Sequence, residues 1–260
     1  MKKHHPFRNL YLGLTLLFLY APIAVLIVFS FNADANRSVF TGFSLKWYEK
    51  LFESDALIQS LVNSLIVAVL SSIIATIIGT YGALIIGKMR AKYRNMTINI
   101  INIPMINAEI VTGLSLMMLF VFLSIPLGFG TLLISHVMFN VPYVIMSVLP
   151  KVKQLNNSTY EAALDLGATP GYAFRKVVLP DLMPGVISGL LMSFTMSLDD
   201  FIISYFTTGP GFPTLSVTIN SMTKKKVPLS VNALSALMFV IVFVVLLIAN
   251  LPKKGEKKNG

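Results

Sequence analysis

Three acidic side chains stand inside long apolar stretches of this sequence, where a charge is costly. They are Glu109, Asp199 and Asp200. An ionised side chain at the centre of a bilayer costs ~2.5–3.5 kcal/mol on insertion scales, so each carboxylate needs a compensating interaction. No lysine or arginine occurs in the same stretches. We therefore expect these carboxylates to meet water, a partner subunit, a neighbouring helix or a cationic ligand.

Helical spacing separates the two aspartates. Four side chains share one narrow stripe of a continuous helix because they stand at i, i+4, i+7 and i+11: Ser193, Ser197, Asp200 and Ser204. Asp199 lies about a hundred degrees away around the same helix. This stripe predicts that Asp200 faces a water-filled pathway, with Ser197 beside it. Asp199 is expected at a helix interface or in an outer vestibule.

Aromatic rings accompany these carboxylates. Phe201 and Tyr205 follow the aspartates and can offer their ring faces to a cation. Glu109 has Thr112 and Gly113 one turn further on, which is consistent with a position lining a cavity. Carboxylates scattered among aromatic rings suit a ligand that carries several ammonium groups on an apolar stem.

Other kinds of site are not indicated. The chain has no cysteine, which excludes disulfides and cysteine metal sites. His136 has no carboxylate or second histidine at ligand spacing, so we interpret it as a hydrogen-bonding side chain in helix packing and expect no metal. The sequence has neither a nucleophile–base pair nor a G-x-x-x-x-G-K-[ST] loop. We therefore expect no catalytic site, no cofactor bound by this chain and no hydrolysis of ATP by the chain alone.

The composition indicates a polytopic membrane protein in one domain, residues 1–260. Hydrophobic residues make up 55% of the chain and charged residues only 12%, about half the share in a typical globular protein. The net charge of +10 comes from basic residues that flank apolar segments. That placement follows the positive-inside rule and argues against a nucleic-acid partner.

Six segments are long and apolar enough to cross a bilayer, a length of ~20 residues. They cover approximately residues 10–31, 58–87, 97–125, 128–149, 183–206 and 229–251. With a cytoplasmic amino terminus, fifteen lysines and arginines fall inside and six outside. This all-α topology therefore places both termini in the cytoplasm. The basic run Lys224–Lys226 is the one cluster that this topology places outside, against the positive-inside rule.

The long cytoplasmic segment 150–182 carries its own helix signals. Ser158 and Glu161 match an S-x-x-E capping box, and Gly167 is placed to end that helix in the left-handed conformation. Thr169 and Pro170 then fit the N-cap and first residue of a second short helix. That second helix should stop at Leu179-Pro180, because a helix disfavours the residue before proline.

The same segment resembles the EAA loop of the permease subunits of bacterial ABC importers. The resemblance rests on Glu161-Ala162-Ala163, then Gly167, then Val177 and Leu179-Pro180 at the family's spacing. The family has isoleucine where Val177 stands. The resemblance implies a type I importer permease fold with short cytoplasmic coupling helices between spans four and five. In such permeases Glu161 would make polar contacts to the ATPase, Ala162 and Ala163 would allow close packing, and Gly167 would make the turn.

Further stretches resemble the same permeases over most of the chain. They are Lys46-Trp47-Tyr48, Leu51-Phe52, Asn63-Ser64-Leu65 and Val231-Asn232-Ala233-Leu234. The stretch from Ser193 to Asp200, taken with Thr208-Gly209-Pro210, narrows the resemblance to spermidine/putrescine permeases.

The resemblance implies a set of partners in a bacterial cytoplasmic membrane. These are an ATPase dimer that carries ATP and magnesium, a second related permease, an extracytoplasmic substrate-binding protein and membrane lipid. Two alternatives remain open. An ABC permease for another small solute would keep the loop at Glu161 but has less cause for three membrane acids. A proton-coupled transporter could use the acids as a relay but would not need the loop.

Overall fold

The computed structural model describes residues 6–34, 39–223 and 229–250, which are helical apart from short connections and one isolated β-bridge between Asn32 and Phe43. The helices are α1 (Pro6–Ser30), α2 (Lys46–Phe52), α3 (Asp55–Lys88), α4 (Ala91–Ile106), α5 (Glu109–Phe122), α6 (Phe129–Gln154), α7 (Asn157–Asp165), α8 (Pro170–Ala173), α9 (Leu179–Asp199), α10 (Ile202–Thr207), α11 (Leu215–Thr223) and α12 (Ser230–Asn250). A π-helical turn, Phe174–Val178, joins α8 to α9. The all-α prediction is confirmed for these ranges. The terminal histidines, the run Lys224–Lys226 and the carboxy-terminal lysines lie outside them.

Several of these helices can cross a membrane. Four stretches have the length and hydropathy for it: Leu10–Ser30, Asp55–Lys88, Phe129–Gln154 and Pro170–Asp199. Helices α4 and α5 pass the same test together but are bent by 97° at the break between them, and the apolar part of α12 is shorter. A multi-pass membrane protein is confirmed, while the count of six spans stays a prediction.

The chain divides into two compact units, one formed by residues 1–58 with 219–260 and the other by residues 59–218. In the first unit, the Trp47 indole N–H donates to the Asn32 carbonyl at 2.7 Å. The ammonium groups of Lys46 and Lys50 lie 5.7 and 5.2 Å from the centre of the same ring. Trp47 is therefore an anchor for α2, and α12 packs against α1 and α2.

The core of the second unit lies between α3, α6 and α9, where small residues let the helices approach closely. A Cβ added to Gly189 on α9 would stand 3.2 Å from the side chain of Val144 on α6. On Gly185, it would stand 3.1 Å from the Ser147 carbonyl oxygen. Helices in membranes associate through such close packing of small residues. Buried Leu182 and Ala75 complete this core.

The third predicted span, residues 97–125, is not one continuous helix. Asn107 and Ala108 have extended backbones, with ψ of 149° and 131°, and separate α4 from α5. The Asn107 side-chain oxygen accepts a hydrogen bond from the Ala108 N–H at 3.2 Å. Such local bonds offer the backbone an alternative to the helix. Glu109 is thus the first residue of α5 rather than an interior residue of a long span.

The fifth predicted span, residues 183–206, does not coincide with one continuous helix. Helix α9 stops at Asp199, and the extended backbone of Asp200, with ψ of 123°, separates it from α10. At the other end, the π-helical turn carries the chain without a stop from Pro170 into α9. Pro180 follows the π-helical turn directly, and the missing N–H of a proline inside a helix removes one backbone hydrogen bond. The helical backbone nevertheless continues through this position. The expected stop at Leu179-Pro180 therefore does not occur.

Candidate functional site

The break between α9 and α10 is built around the carboxylate of Asp200. The backbone N–H of Ser204 donates to its Oδ2 at 2.7 Å, and that of Ile203 donates to its Oδ1 at 3.2 Å. These amides begin α10 and have no partner within that helix, so Asp200 caps it. The Asp200 side chain is only 2% exposed. Protein therefore encloses the Asp200 carboxylate in this structure, and its contact with a water-filled pathway stays a prediction.

His136 on α6 contacts both sides of this break. Its Nε2 lies 3.5 Å from the Asp200 Oδ2 and 3.0 Å from the Ser204 Oγ. Its Nδ1 lies 2.7 Å from the Ser197 Oγ on α9. The imidazole, like the Asp200 carboxylate, is 2% exposed. His136 is thus a hydrogen-bonding side chain in helix packing, as expected, but it also has the carboxylate partner that its sequence neighbourhood did not indicate.

The polar network extends from His136 to α3. The Ser71 hydroxyl lies 3.1 Å from the Ser197 Oγ, and the Asn140 side-chain amide donates to Ser71 at 3.4 Å. All of these side chains are buried. The serine stripe of the sequence is real, since Ser193, Ser197, Asp200 and Ser204 are all buried. It faces α3 and α6 rather than water.

Asp199, Phe201 and Tyr205 flank the same break. Unlike Asp200, Asp199 and Tyr205 are exposed, and Phe201 is half-buried. Asp199, the last residue of α9, is exposed, and Tyr205 is 52% exposed. The rings of Phe201 and Tyr205 lie with their centres 5.6 Å apart. The carboxyl end of a helix carries a partial negative charge. The exposed Asp199 carboxylate adds to that field, so this surface favours a cation.

Glu109 lies at the other helix break, which is held near the first one by the packing of α5 on α10. The Glu109 side chain is exposed at the start of α5. One turn later, Gly113 is buried, and a Cβ on it would stand 3.1 Å from the ring of Phe206. Gly113 is therefore a packing residue rather than one that lines a cavity. The exposed carboxylate of Glu109 begins α5, and that of Asp199 ends α9, the helix that precedes α10 in the chain. The contact between α5 and α10 therefore connects the two helix breaks.

Non-helical backbone at membrane depth is tolerated only where it is buried in protein or lines a water-filled cavity. Transporters place their binding sites at such interrupted helices, whose ends point at charged ligands. Here the buried residues Asp200, His136 and Ser197 stabilise one interruption. The exposed residues Asp199 and Tyr205 present charge and an aromatic face beside it. The arrangement can bind a cation without any bond-making chemistry.

The segment 150–182, predicted to lie in the cytoplasm, forms the first short helix that was predicted, but the helix starts earlier. Its N-cap is Asn156, whose side-chain oxygen accepts from the Ser158 N–H at 3.0 Å. The predicted capping box at Ser158 and Glu161 is therefore replaced by a single cap two residues upstream. Asparagine is among the best N-cap residues, and it precedes Ser158 in the chain. Glu161 and Ala162 are exposed on the resulting α7, and Ala163 is half-buried.

Gly167 ends α7 as predicted. Its φ is +88°, in the left-handed region that favours glycine. The N–H of Ala168 donates to the Ala163 carbonyl at 3.0 Å, and the N–H of Gly167 donates to that of Leu164 at 2.9 Å. This pair of bonds is the Schellman motif. Leu166, just before the turn, is 90% exposed.

The second short helix begins as predicted, with Thr169 as N-cap and Pro170 as its first residue. The chain then runs through the π-helical turn into α9. Helix α8 is thus joined by continuous helical backbone to α9, the core helix that ends at Asp199. Helix α7, beyond the Gly167 turn, packs against α8 and the π-helical turn.

Comparisons with known proteins agree with this architecture. Residues 79–254 match the family described as the binding-protein-dependent transport system inner membrane component. The chain is 36% identical over 244 residues to the spermidine/putrescine transport system permease protein PotC of Haemophilus influenzae, covering 94% of this chain and 95% of the relative. It is 37% identical over 262 residues to the putrescine transport system permease protein PotI of Escherichia coli, covering 98% and 93%.

Solved structures share the fold. A chain of a bacterial ABC transporter involved in the import of the acidic polysaccharide alginate superposes with a TM-score of 0.70 at 15% identity, covering 93% of this chain and 92% of that chain. A second structure, the alginate transporter in complex with an alginate pentasaccharide-bound periplasmic protein, superposes with a TM-score of 0.69 at 17% identity, covering 95% and 92%. The importer permease fold is therefore confirmed.

Proposed function

The chain belongs to the family of binding-protein-dependent transport system inner membrane components, and from that membership we propose that it is the permease subunit of an ATP-driven importer of polyamines. The observation that carries the cargo assignment is the exposed carboxylate of Asp199 at the carboxyl end of α9, beside the aromatic pair Phe201 and Tyr205. The relatives PotC and PotI, which belong to spermidine/putrescine and putrescine transport systems, support the same assignment.

The chemistry of a polyamine matches this surface. Its ammonium groups are spaced along an apolar stem, so one group can meet the Asp199 carboxylate while the stem lies against an aromatic ring. Glu109, at the neighbouring helix break, supplies a second carboxylate. Cation–π contacts to Phe201 and Tyr205 contribute ~0.5–1 kcal/mol each at exposed sites. Low-affinity contacts of this kind let the cargo pass rather than remain bound.

The energy for transport comes from a partner, since this chain carries no phosphate-binding loop of its own. Helix α7 is the surface that docks on that ATPase. Exposed Glu161 makes polar contacts, Ala162 and Ala163 allow close approach, and Gly167 fixes the turn. Closure of the ATPase dimer on ATP and magnesium moves α7. The packing of α7 on α8 and the π-helical turn, from which the helix continues into α9, transmits the movement.

The complete importer holds further partners. A second, related permease covers the exposed apolar faces of this chain, and an extracytoplasmic binding protein delivers the cargo. The alginate transporter was solved in complex with a periplasmic protein of this kind, bound to an alginate pentasaccharide. The chain lies in the bacterial cytoplasmic membrane with both termini in the cytoplasm, in keeping with the bias of basic residues.

Reconstitution tests this function directly. The chain, its neighbouring permease, ATPase and binding protein are placed in proteoliposomes, and uptake of radiolabelled spermidine and putrescine is measured with and without ATP. A neutral sugar of similar size serves as the control cargo. ATP-dependent uptake of a polyamine but not of the sugar supports the proposal. Uptake of the sugar alone, or equal uptake of both, contradicts the polyamine assignment.

A further inference from the structure

We propose that Asp200 and His136 form a buried positioning pair, which fixes the direction of Asp199, Phe201 and Tyr205 at the helix break without touching the cargo. The inference rests on the proposed function, because it concerns the surface that would meet a polyamine. It assigns different roles to two adjacent aspartates. Asp199 binds, and Asp200 holds the backbone that presents it.

The broken backbone requires such support. Where α9 ends and α10 begins, amide groups lack helical partners, and an unpaired polar group in an apolar environment is costly. Asp200 satisfies the amides of Ile203 and Ser204 with its two carboxylate oxygens. Its own carbonyl oxygen accepts a hydrogen bond from the Ser216 hydroxyl at 2.7 Å. One residue thus caps α10 and links the interruption to α11.

His136 links this cap to the rest of the core. Its two ring nitrogens lie 2.7 Å from Ser197 on α9 and 3.0 Å from Ser204 on α10, and its Nε2 also faces the Asp200 carboxylate. The imidazole therefore connects the end of one helix to the start of the next. Since the side chains of His136 and Asp200 are 2% exposed, no surface of either remains for a passing ligand.

The pair of Asp200 and His136 determines where the side chains beside the break point. Asp199 and Phe201 are the chain neighbours of Asp200, so fixing its backbone and carboxylate also fixes theirs. Tyr205 follows Ser204, whose amide and hydroxyl are both held by the pair. Binding groups need such support, because a small misplacement of a contact costs much of its effect.

A double-mutant cycle separates positioning from direct contact. Asp199→Asn, Asp200→Asn and the double variant are compared in the reconstituted importer by the apparent KM and maximal rate of spermidine uptake. Loss of a helix cap typically weakens what it supports by about five- to tenfold. If Asp200 acts through the presentation of Asp199, Phe201 and Tyr205, the double variant loses less than the product of the two single losses, because part of the effect of Asp200→Asn has already been removed with the Asp199 charge. If both carboxylates contact the cargo, the two losses multiply.

A second measurement reports the stability of the backbone at the break between α9 and α10 and needs no cargo. Hydrogen exchange of the peptide that covers residues 199–207 reports the amides of Ile203 and Ser204. Exchange should become faster in Asp200→Asn and in His136→Ala, and remain unchanged in Asp199→Asn. His136→Gln, which retains hydrogen-bonding groups, should recover part of the protection. This measurement keeps the inference testable even if the polyamine assignment fails.

Asp181→Asn is the matched control, because it removes an exposed carboxylate from the first turn of the same helix. It should leave both uptake and exchange at 199–207 unchanged. All variants are compared at equal amounts of assembled complex with equal basal ATPase activity. Multiplying losses in the cycle, or normal exchange in Asp200→Asn, would overturn the positioning role.

Discussion

The backbone of Gly113 on α5 faces that of Ile202 on α10 at close range. A Cβ added to Gly113 would stand 3.4 Å from the Ile202 carbonyl oxygen and 3.1 Å from the ring of Phe206. This contact holds the helix that begins at Glu109 against the helix that follows Asp200. The two exposed carboxylates of the proposed pathway depend on it for their mutual position.

We therefore expect Gly113→Leu to separate the two helices. Overpacking a close contact costs ~1–3 kcal/mol, so the variant should unfold at a lower temperature in detergent and should transport poorly. Gly130→Leu is the control, because nothing lies within 4 Å of the position that its Cβ would occupy. Equal thermal stability of the two variants would contradict the packing role of Gly113.

Gly167 should also tolerate no larger side chain, but here the substitution should impair the coupling of transport to the ATPase rather than the stability of the fold. Its φ of +88° disfavours any side chain by ~1–2 kcal/mol, and β-branched ones most. Gly167→Val should leave the membrane helices inserted while polyamine uptake and stimulation of the ATPase by the loaded binding protein are lost. Gly171→Val, at a position in α8 with negative φ and open space, should retain more of both. Normal uptake by Gly167→Val would show that α7 does not couple the subunits.

Periodicity predicted correctly that Ser193 and Ser197, one turn apart on α9, share one face, and both are buried. Asp200 and Ser204 lie beyond the end of that helix, so their burial beside the same network depends on the break and not on periodicity. It could not predict what covers that face. His136 is 61 residues from Ser197 in the chain, and Ser71 is 126 residues from it. A polar pair one helical turn apart, His136 and Asn140, was the available signal that α6 presents a polar stripe.

The breaks in the helices were also only partly predictable. Pro104 is the one proline within the third predicted span and is the sequence signal for an interruption there. It lies inside α4, however, and the extended residues come later, at Asn107 and Ala108. No glycine or proline marks the break at Asp200. An aspartate followed by a short apolar stretch fits an N-cap, yet in a continuous apolar run the helix is the simpler expectation.

Membrane orientation can be tested with single cysteines, because the chain has none of its own. Thr159→Cys, on the exposed surface of α7, should react with a membrane-impermeant maleimide only from the cytoplasmic side. Val39→Cys, between α1 and α2 in the chain and 55% exposed, should react only from outside. Labelling of both from one side would contradict the six-span topology.

Asp199 carries the carboxylate that is proposed to meet the cargo. Asp199 is exposed at the end of α9, whereas the Asp200 side chain is enclosed by His136 and two amides. Asp199→Asn preserves size and removes the charge, so it should raise the apparent KM for spermidine by about tenfold if one ammonium contact worth ~1.4 kcal/mol is lost.

Glu109→Gln should cause a similar but separate loss, since Glu109 is at the other helix break. A cargo with three ammonium groups should retain more affinity in either variant than one with two, because more contacts remain. Competition of spermidine and putrescine for uptake measures this difference. If neither substitution alters uptake of either polyamine, electrostatic attraction by these two carboxylates is not what selects the cargo, and the aromatic pair Phe201 and Tyr205 becomes the next position to test by alanine substitution.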